Sequence, residues 1–336
     1  MTVPEPSISI ILSAMGSFRV LESTIARLCV QTIRERMELI LVGPPQAEPE
    51  WAAKLRGRFQ GFRIVAAEPF VSIGQSNALG VEHARAAVVV FGEDHCFPEP
   101  DWAEALASAH EGPWAAVGPQ VSNANPDSAV SRADFLIGYS PWASPCESGE
   151  REILPGHNSS YKKAVLLEYG DALADWLQAE TVLHYDLTRR GKKLYLEGRA
   201  RTAHVNFSRL SSWFKIQSMQ GRVFAAGRRK DWGPAKRLLF AAASPLIPAV
   251  RLVRITRQYF SAPRSVLDYM RTLPHLTFGL ALDGIGQFVG YAFGAGDTVD
   301  DIATLELQRI DHITEHDRRA LFPCDPLKRI LTVTSP

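Results

Sequence analysis

Short β-branched runs alternating with stretches of helix length constrain this chain more than any other feature. Runs at residues 7–13 (SISIILS), 37–42 (MELILV), 62–67, 87–91 and 115–121 read as strands, with helical patterns at 20–32, 49–59, 73–85 and 101–111 between them. Parallel neighbours need a long crossover, so helix-length spacers between strands point to βαβ units. A parallel sheet is covered on both faces, which suits runs that stay apolar instead of alternating. The expected fold is α/β, a doubly wound, mostly parallel mixed sheet.

The fourth run ends in chemistry. Residues 88–91 empty into Gly92-Glu93-Asp94-His95, with Pro98, Pro100 and Trp102 close behind. The C-terminal edge of an open α/β sheet is where ligands bind. Carboxylate and imidazole at alternate positions there suit a divalent metal, Mn2+ or Mg2+, whose coordination a nucleotide diphosphate would complete. Beyond 123 the alternation breaks into a Pro/Ser/Trp-rich stretch, 123–149, expected to be a substrate-facing loop. Order resumes with 152–154, helices at 163–169 and 179–190, the second stopped by Gly191, and strands at 194–197 and 202–206.

Taken in order, these features resemble an inverting family-2 glycosyltransferase of the membrane-associated bacterial type, with a GT-A nucleotide-sugar-binding fold. The resemblance runs over roughly residues 7–206 and rests on several positions: Ile8 to Leu12, Gln31-Thr32, Glu38 to Val42, Gly74, Ser76 and Gly80, then Phe91 to His95 in place of the family's Asp-x-Asp motif. It implies a divalent metal on Glu93, His95 and His204, and a nucleotide-diphosphate sugar donor on Ser13, Gly74, Asn77, Glu93 and Asp94. Leu154 to Tyr161 resembles the acceptor-side turn, which assigns Gly156, His157 and Asn158 to the acceptor. Ala179-Glu180 stands where the family has Glu-Asp and makes Glu180 the general base, with His184 one turn on as a group that would orient it. Two family features are replaced: Gly43-Pro44-Pro45 follows the second strand instead of an acidic pair, and Ser76-Asn77-Ala78 lacks the usual Arg.

Charge separates the last third from the rest. Residues 209–264 carry twelve Lys/Arg against Asp231, a net +11 in a chain whose total is +1. Two weakly charged runs adjoin it, 238–250 with no charge and 272–296 with Asp283 alone. Basic residues beside apolar runs fit an anionic membrane surface better than nucleic acid. Thirteen residues with Pro245 and Pro248 are too few to span, and the glycines and Asp283 of the second run argue against a simple span. The expected organisation is a catalytic domain at 1–208, a basic and apolar helical membrane-associating region at 209–296, and an acidic tail at 297–336. Four cysteines at no metal-like spacing indicate reduced thiols. The expected location is the cytoplasmic face of the inner membrane, peripheral or monotopic, with a glycan or lipid-linked acceptor and the homodimer left open. Two other readings remain, a nucleotidyltransferase using residues 14–19 as a phosphate loop and a catalytically degenerate sugar-binding scaffold.

Overall fold

Strands β1 (Ile8–Ser13) and β2 (Met37–Gly43) are buried along their whole length in the computed structural model, which describes residues 4–45, 48–67 and 72–333. With β3 (Gly61–Ala66) and β4 (Val88–Gly92) they form a parallel set in the order β3-β2-β1-β4. Five more strands complete a nine-stranded mixed sheet: β5 (Cys96–Pro98), β6 (Ala116–Asn123), β7 (Gly149–Arg151), β8 (Ser160–Lys162) and β9 (Leu194–His204). Antiparallel pairs join β4 to β8, β8 to β6, and β9 to both β5 and β7. The expected mixed α/β sheet is therefore present. Its order reverses between β1 and β4, where Leu12 lies opposite Gly92. That is the point in such a sheet where two strand ends leave a crevice.

Three local expectations change. Strand β5 is new: Pro98 and Pro100 argue against a strand, but β5 ends the sheet order, where a missing N–H costs no ladder bond. The two strands expected at 194–197 and 202–206 are one, since β9 runs unbroken through Gly198. Residues 123–149 are only partly a loop. They hold an 11-residue helix, Ala129–Tyr139, whose Ser128 hydroxyl accepts the Ser131 N–H and whose Ala133, Phe135, Leu136 and Ile137 are buried.

The chain divides into two compact units that interleave in sequence. The first comprises Met1–Ser122, Cys146–His204 and Arg319–Pro336, and contains the sheet core of Ile8, Ile10, Leu39, Leu41, Val90, Trp102 and Leu106, to which Leu327 and Leu331 contribute. The second comprises Asn123–Pro145 and Val205–Arg318 and is helical. The stretch expected as an acidic tail is mostly helix through residue 333, and its last three residues lie outside the described ones.

Within the second unit, helices Leu210–Arg228 and Val266–Phe293 pack closely because glycines remove the side chains between them. A Cβ on Gly286 would lie 2.0 Å from the Ser218 carbonyl oxygen, and one on Gly290 would lie 2.3 Å from that of Arg222. Asp283 is buried and paired: Arg251 Nη1 donates to its Oδ2 at 2.6 Å and Gln287 Nε2 at 2.8 Å. Arg251 also donates to the Ile137 carbonyl, so it is held within the protein. Pro245 and Pro248 sit in first turns, where no helical N–H is lost, and Pro234–Tyr259 is a helical stretch long and apolar enough to cross a membrane.

Candidate metal centre and its carboxylates

The turn after β4 is held from three sides. Thr24 Oγ1 lies 2.9 Å from the Glu93 carbonyl and 3.0 Å from that of Cys96, and the Asn158 N–H donates to the Phe91 carbonyl at 2.7 Å. Pairing of β5 with β9 sets Cys96 opposite His204. This one ladder brings His204, 108 residues downstream of Cys96, to the turn that carries Glu93 and His95.

Glu93 is the centre of the cluster. Its Oε1 lies 3.4 Å from His95 Nε2 and 3.6 Å from His157 Nε2, while its Oε2 lies 3.7 Å from His204 Nε2. Oε2 also accepts from the Cys96 thiol at 3.0 Å and from Asn158 Nδ2 at 3.2 Å. Burial would raise the Glu93 pKa, but His157, His95, His204 and the thiol outweigh it and hold the carboxylate well below its usual range.

His95 shows what the cluster can bind. Its Nδ1 lies 2.5 Å from Asp94 Oδ1, and since a carboxylate only accepts, Nδ1 carries the proton. Nε2 is then the nitrogen that a metal would take; it is buried, makes no hydrogen bond, and lies 3.4 Å from Glu93 Oε1. A cation between the two would satisfy both groups, and in its absence a proton on Nε2 does the same. One ligand atom each from Glu93, His95 and His204 lies within 4.8 Å of the others, so the three residues fit a divalent metal. Two imidazoles and one carboxylate suit Mn2+ better than Mg2+, which prefers oxygen.

Glu180 opens the helix Glu180–Arg189, where the helix dipole favours a carboxylate. It is buried, and its Oε1 lies 3.2 Å from His157 Nδ1. His157 therefore stands between Glu93 and Glu180 with a quarter of its side chain exposed. Gly156 lies close against Glu180, where a Cβ would come within 2.9 Å of Glu180 Oε2 and displace that carboxylate.

Several assigned residues have partners within the protein. Asn158, with φ 63°, is buried, and its amide Nδ2 donates to Glu93 Oε2 and to the Cys96 sulfur at 2.9 Å. Asp94 serves His95 as an orienting partner. Gly74 is a packing glycine: its N–H donates to Gln178 Oε1 and a Cβ would lie 2.2 Å from the Ala174 carbonyl oxygen. Ser13 and Asn77 do come together, the hydroxyl donating to Asn77 Oδ1 at 3.3 Å. His184 accepts the Leu154 N–H at Nδ1 and bonds the Tyr161 hydroxyl at 2.8 Å through Nε2; burial pushes its pKa down to about 3, so it is a neutral structural group. Sequence reasoning missed Cys96 and Thr24, whose contribution depends on a strand it did not expect.

No protein-family model matches the sequence, and no curated protein matches it. Solved structures do. A mannosyltransferase of Pyrobaculum calidifontis, solved with GDP-Man and Mn2+, is 14% identical over 84% of this chain and 87% of its own, with a TM-score of 0.50. This chain has a GT-A-like fold. Residues 1–349 of S. aureus TarS align at 13% identity over 88% of this chain and 91% of that one, with a TM-score of 0.46. GalNAc-T7, solved with UDP, GalNAc and Mn2+, aligns at 12% identity and a TM-score of 0.44; the match covers 59% of this chain and spans 43% of that one.

Proposed function

We propose that this protein is a metal-dependent glycosyltransferase of the inverting family-2 type, transferring a sugar from a nucleotide diphosphate to a hydroxyl of a glycan or lipid-linked acceptor. The observation that carries the reading is the buried Glu93, His95 and His204 cluster at the β1/β4 crevice, linked through His157 to the Glu180 carboxylate. The GT-A-like fold supports it, and the metal and nucleotide sugar of the Pyrobaculum mannosyltransferase are the kind of ligands the cluster suits.

Glu93, His95 and His204 would hold the metal, which supplies positive charge to the departing diphosphate. Asp94 fixes the His95 tautomer, while Asn158 and Cys96 fix the Glu93 carboxylate. Ser13 and Asn77, at the neighbouring strand end, are assigned to the donor. Glu180 accepts the proton of the acceptor hydroxyl as its oxygen forms a bond to the anomeric carbon; the bond from that carbon to the phosphate oxygen breaks on the opposite face, and the configuration inverts. Gly156 and His157 line the acceptor side. The same reading places the protein peripherally or monotopically on the cytoplasmic face of the inner membrane, close to a lipid-linked acceptor.

The nucleotidyltransferase alternative rests on residues 14–19, where Gly16, Ser17 and Arg19 are exposed. Residues 14–19 bury Ala14 and Phe18 in the core and lead into a 3-10 turn that Ser17 caps. Calorimetric titration of the full chain with UDP, GDP and CDP, each with Mn2+ and with chelator, tests the proposal. Metal-dependent binding of one diphosphate is expected; no binding under any condition would leave the degenerate scaffold.

A further inference from the structure

Helix Val266–Phe293 is apolar on both sides. Its buried positions combine Leu276, Leu280 and Tyr291 with the polar Thr272, Asp283 and Gln287, whereas its outward positions Leu267, Met270, Phe278, Ile285 and Phe288 are large apolar side chains in water. Leu267 and Ile285 are each 59% exposed. Pro274 and Ala281 fill the remaining places on that stripe and are exposed too. At 1.5 Å per residue the stripe from Leu267 to Phe288 is about 30 Å long. A helix of a soluble protein normally turns charge toward water and hides its apolar side. Single exposed hydrophobics need no explanation, but a continuous stripe does.

The stretch Pro234–Tyr259 repeats the pattern. Ala241, Ser244 and Ile255 are buried on one side, with Arg251 drawn inward to Asp283, while Leu239, Leu246, Val250 and Val253 are exposed on the other. Exposed cations accompany both helices: Lys236, Arg254, Arg257 and Arg271.

We infer that these two exposed stripes form a membrane-docking face that seats in the plane of a bilayer containing anionic lipid. The inference rests on the membrane part of the reading above and names the surface and the lipid class. Charge decides the occupant. In a two-fold contact with a second copy the same patch faces itself, setting the exposed Lys236, Arg254, Arg257 and Arg271 of one copy against those of the other, whereas anionic headgroups complement them. In-plane seating follows from the inward sides. A span would surround both helices with lipid, yet Asp283, Arg251 and Gln287 are tied into protein contacts and Gly286 and Gly290 hold the long helix against Leu210–Arg228. One apolar stripe per helix immersed at the headgroup boundary leaves all of those contacts intact.

The test is flotation of the full chain with phosphatidylcholine vesicles with and without phosphatidylglycerol, alongside light scattering and a nucleotide-diphosphate titration of the same preparations. The wild-type protein is expected to float with anionic vesicles and to bind neutral ones at least about tenfold more weakly. The triple variant Phe278→Glu, Ile285→Glu and Phe288→Glu, altered at water-exposed positions, is expected to lose vesicle binding by more than about tenfold while keeping its donor affinity. Arg254→Gln with Arg257→Gln, which leaves the apolar stripe untouched, is expected to lose a few-fold and only on anionic vesicles. Equal flotation of the triple variant would overturn this face while leaving membrane association standing, and no flotation of wild type would overturn both. A wild-type dimer that the triple variant splits into monomers would assign the face to a second copy instead. Unchanged donor binding throughout keeps each of these outcomes separate from glycosyl transfer.

Discussion

Glu93 and Asp283 are both buried carboxylates, one in each unit, and their neighbours give them opposite meanings. Asp283 accepts from Arg251 at 2.6 Å and from Gln287 at 2.8 Å, so a permanent cation and an amide satisfy it within the protein. Glu93 sits among three imidazoles, and one of them, His95, has its proton fixed on the far nitrogen by Asp94. A guanidinium is a permanent partner for a carboxylate; an imidazole can give up its proton and turn the same nitrogen to a metal. The first arrangement is structural and the second is ready for a metal.

The largest effect expected on this contrast comes from the carboxylate beyond it. Glu180→Gln keeps the volume and removes the base, so transfer should fall by about 10³-fold, within the usual range for a general base, with donor affinity changed by less than about twofold. Single-turnover transfer and calorimetry check it together. Retained transfer would remove Glu180 from the reaction. Next, His95→Ala should weaken metal-dependent donor binding by about 10- to 100-fold, and Asp94→Asn by less, because Asp94 acts through His95. Equal donor affinity with Mn2+ and with chelator in the wild type would make the two buried carboxylates equivalent after all.

The Asp283 side of the contrast should read out in stability alone. Arg251→Met leaves a buried carboxylate with only Gln287, and a loss of about 1–3 kcal/mol is expected, reduced from the full cost of a broken buried pair because Arg251 keeps some exposure. Donor affinity should not move. Pairing it with Asp283→Leu should recover much of the loss in denaturant titrations.

How far the sequence carries this distinction depends on the element. Strands β1, β2 and β4 were legible because burial on both faces leaves an almost unbroken apolar run, and they lie within a residue or two of expectation. Strand β5 was hidden by Pro98, whose missing N–H matters only for an interior strand. With β5 went the contacts of Cys96, so the thiol on Glu93 could not be foreseen from cysteine spacing. The Asn158 contact with Glu93 was not legible either, because a turn sequence does not reveal which way a left-handed residue aims its amide. The glycines of 272–296 were noticed as unfit for a simple span, but their use against Leu210–Arg228 depends on a partner that lies some sixty residues away.

Acid sensitivity sharpens the contrast from a third direction. His184 and His110 are buried and their pKa values are pushed down by burial, to about 3 and about 4 from an ordinary 6.5. Between those values and 6.5 the unfolded chain binds protons that the folded chain refuses, so stability is full above pH 6.5 and falls as the pH drops through that window. His184→Gln should flatten part of this slope in thermal melts at a series of pH values.

The smallest expected effect probes the thiol. Cys96 donates to Glu93 Oε2 at 3.0 Å and accepts from Asn158, so it supports the carboxylate without being needed to hold a metal. Cys96→Ser keeps a donor on a shorter bond and should cost only a few-fold in Mn2+ affinity. Cys96→Ala removes the donor and should cost more, by about one neutral hydrogen bond, or roughly 1 kcal/mol. Asn158 would still hold Oε2 at 3.2 Å in either variant. If Cys96→Ala instead abolished metal binding as completely as His95→Ala, the sulfur would be a ligand, and the centre would be softer than two imidazoles and a carboxylate make it.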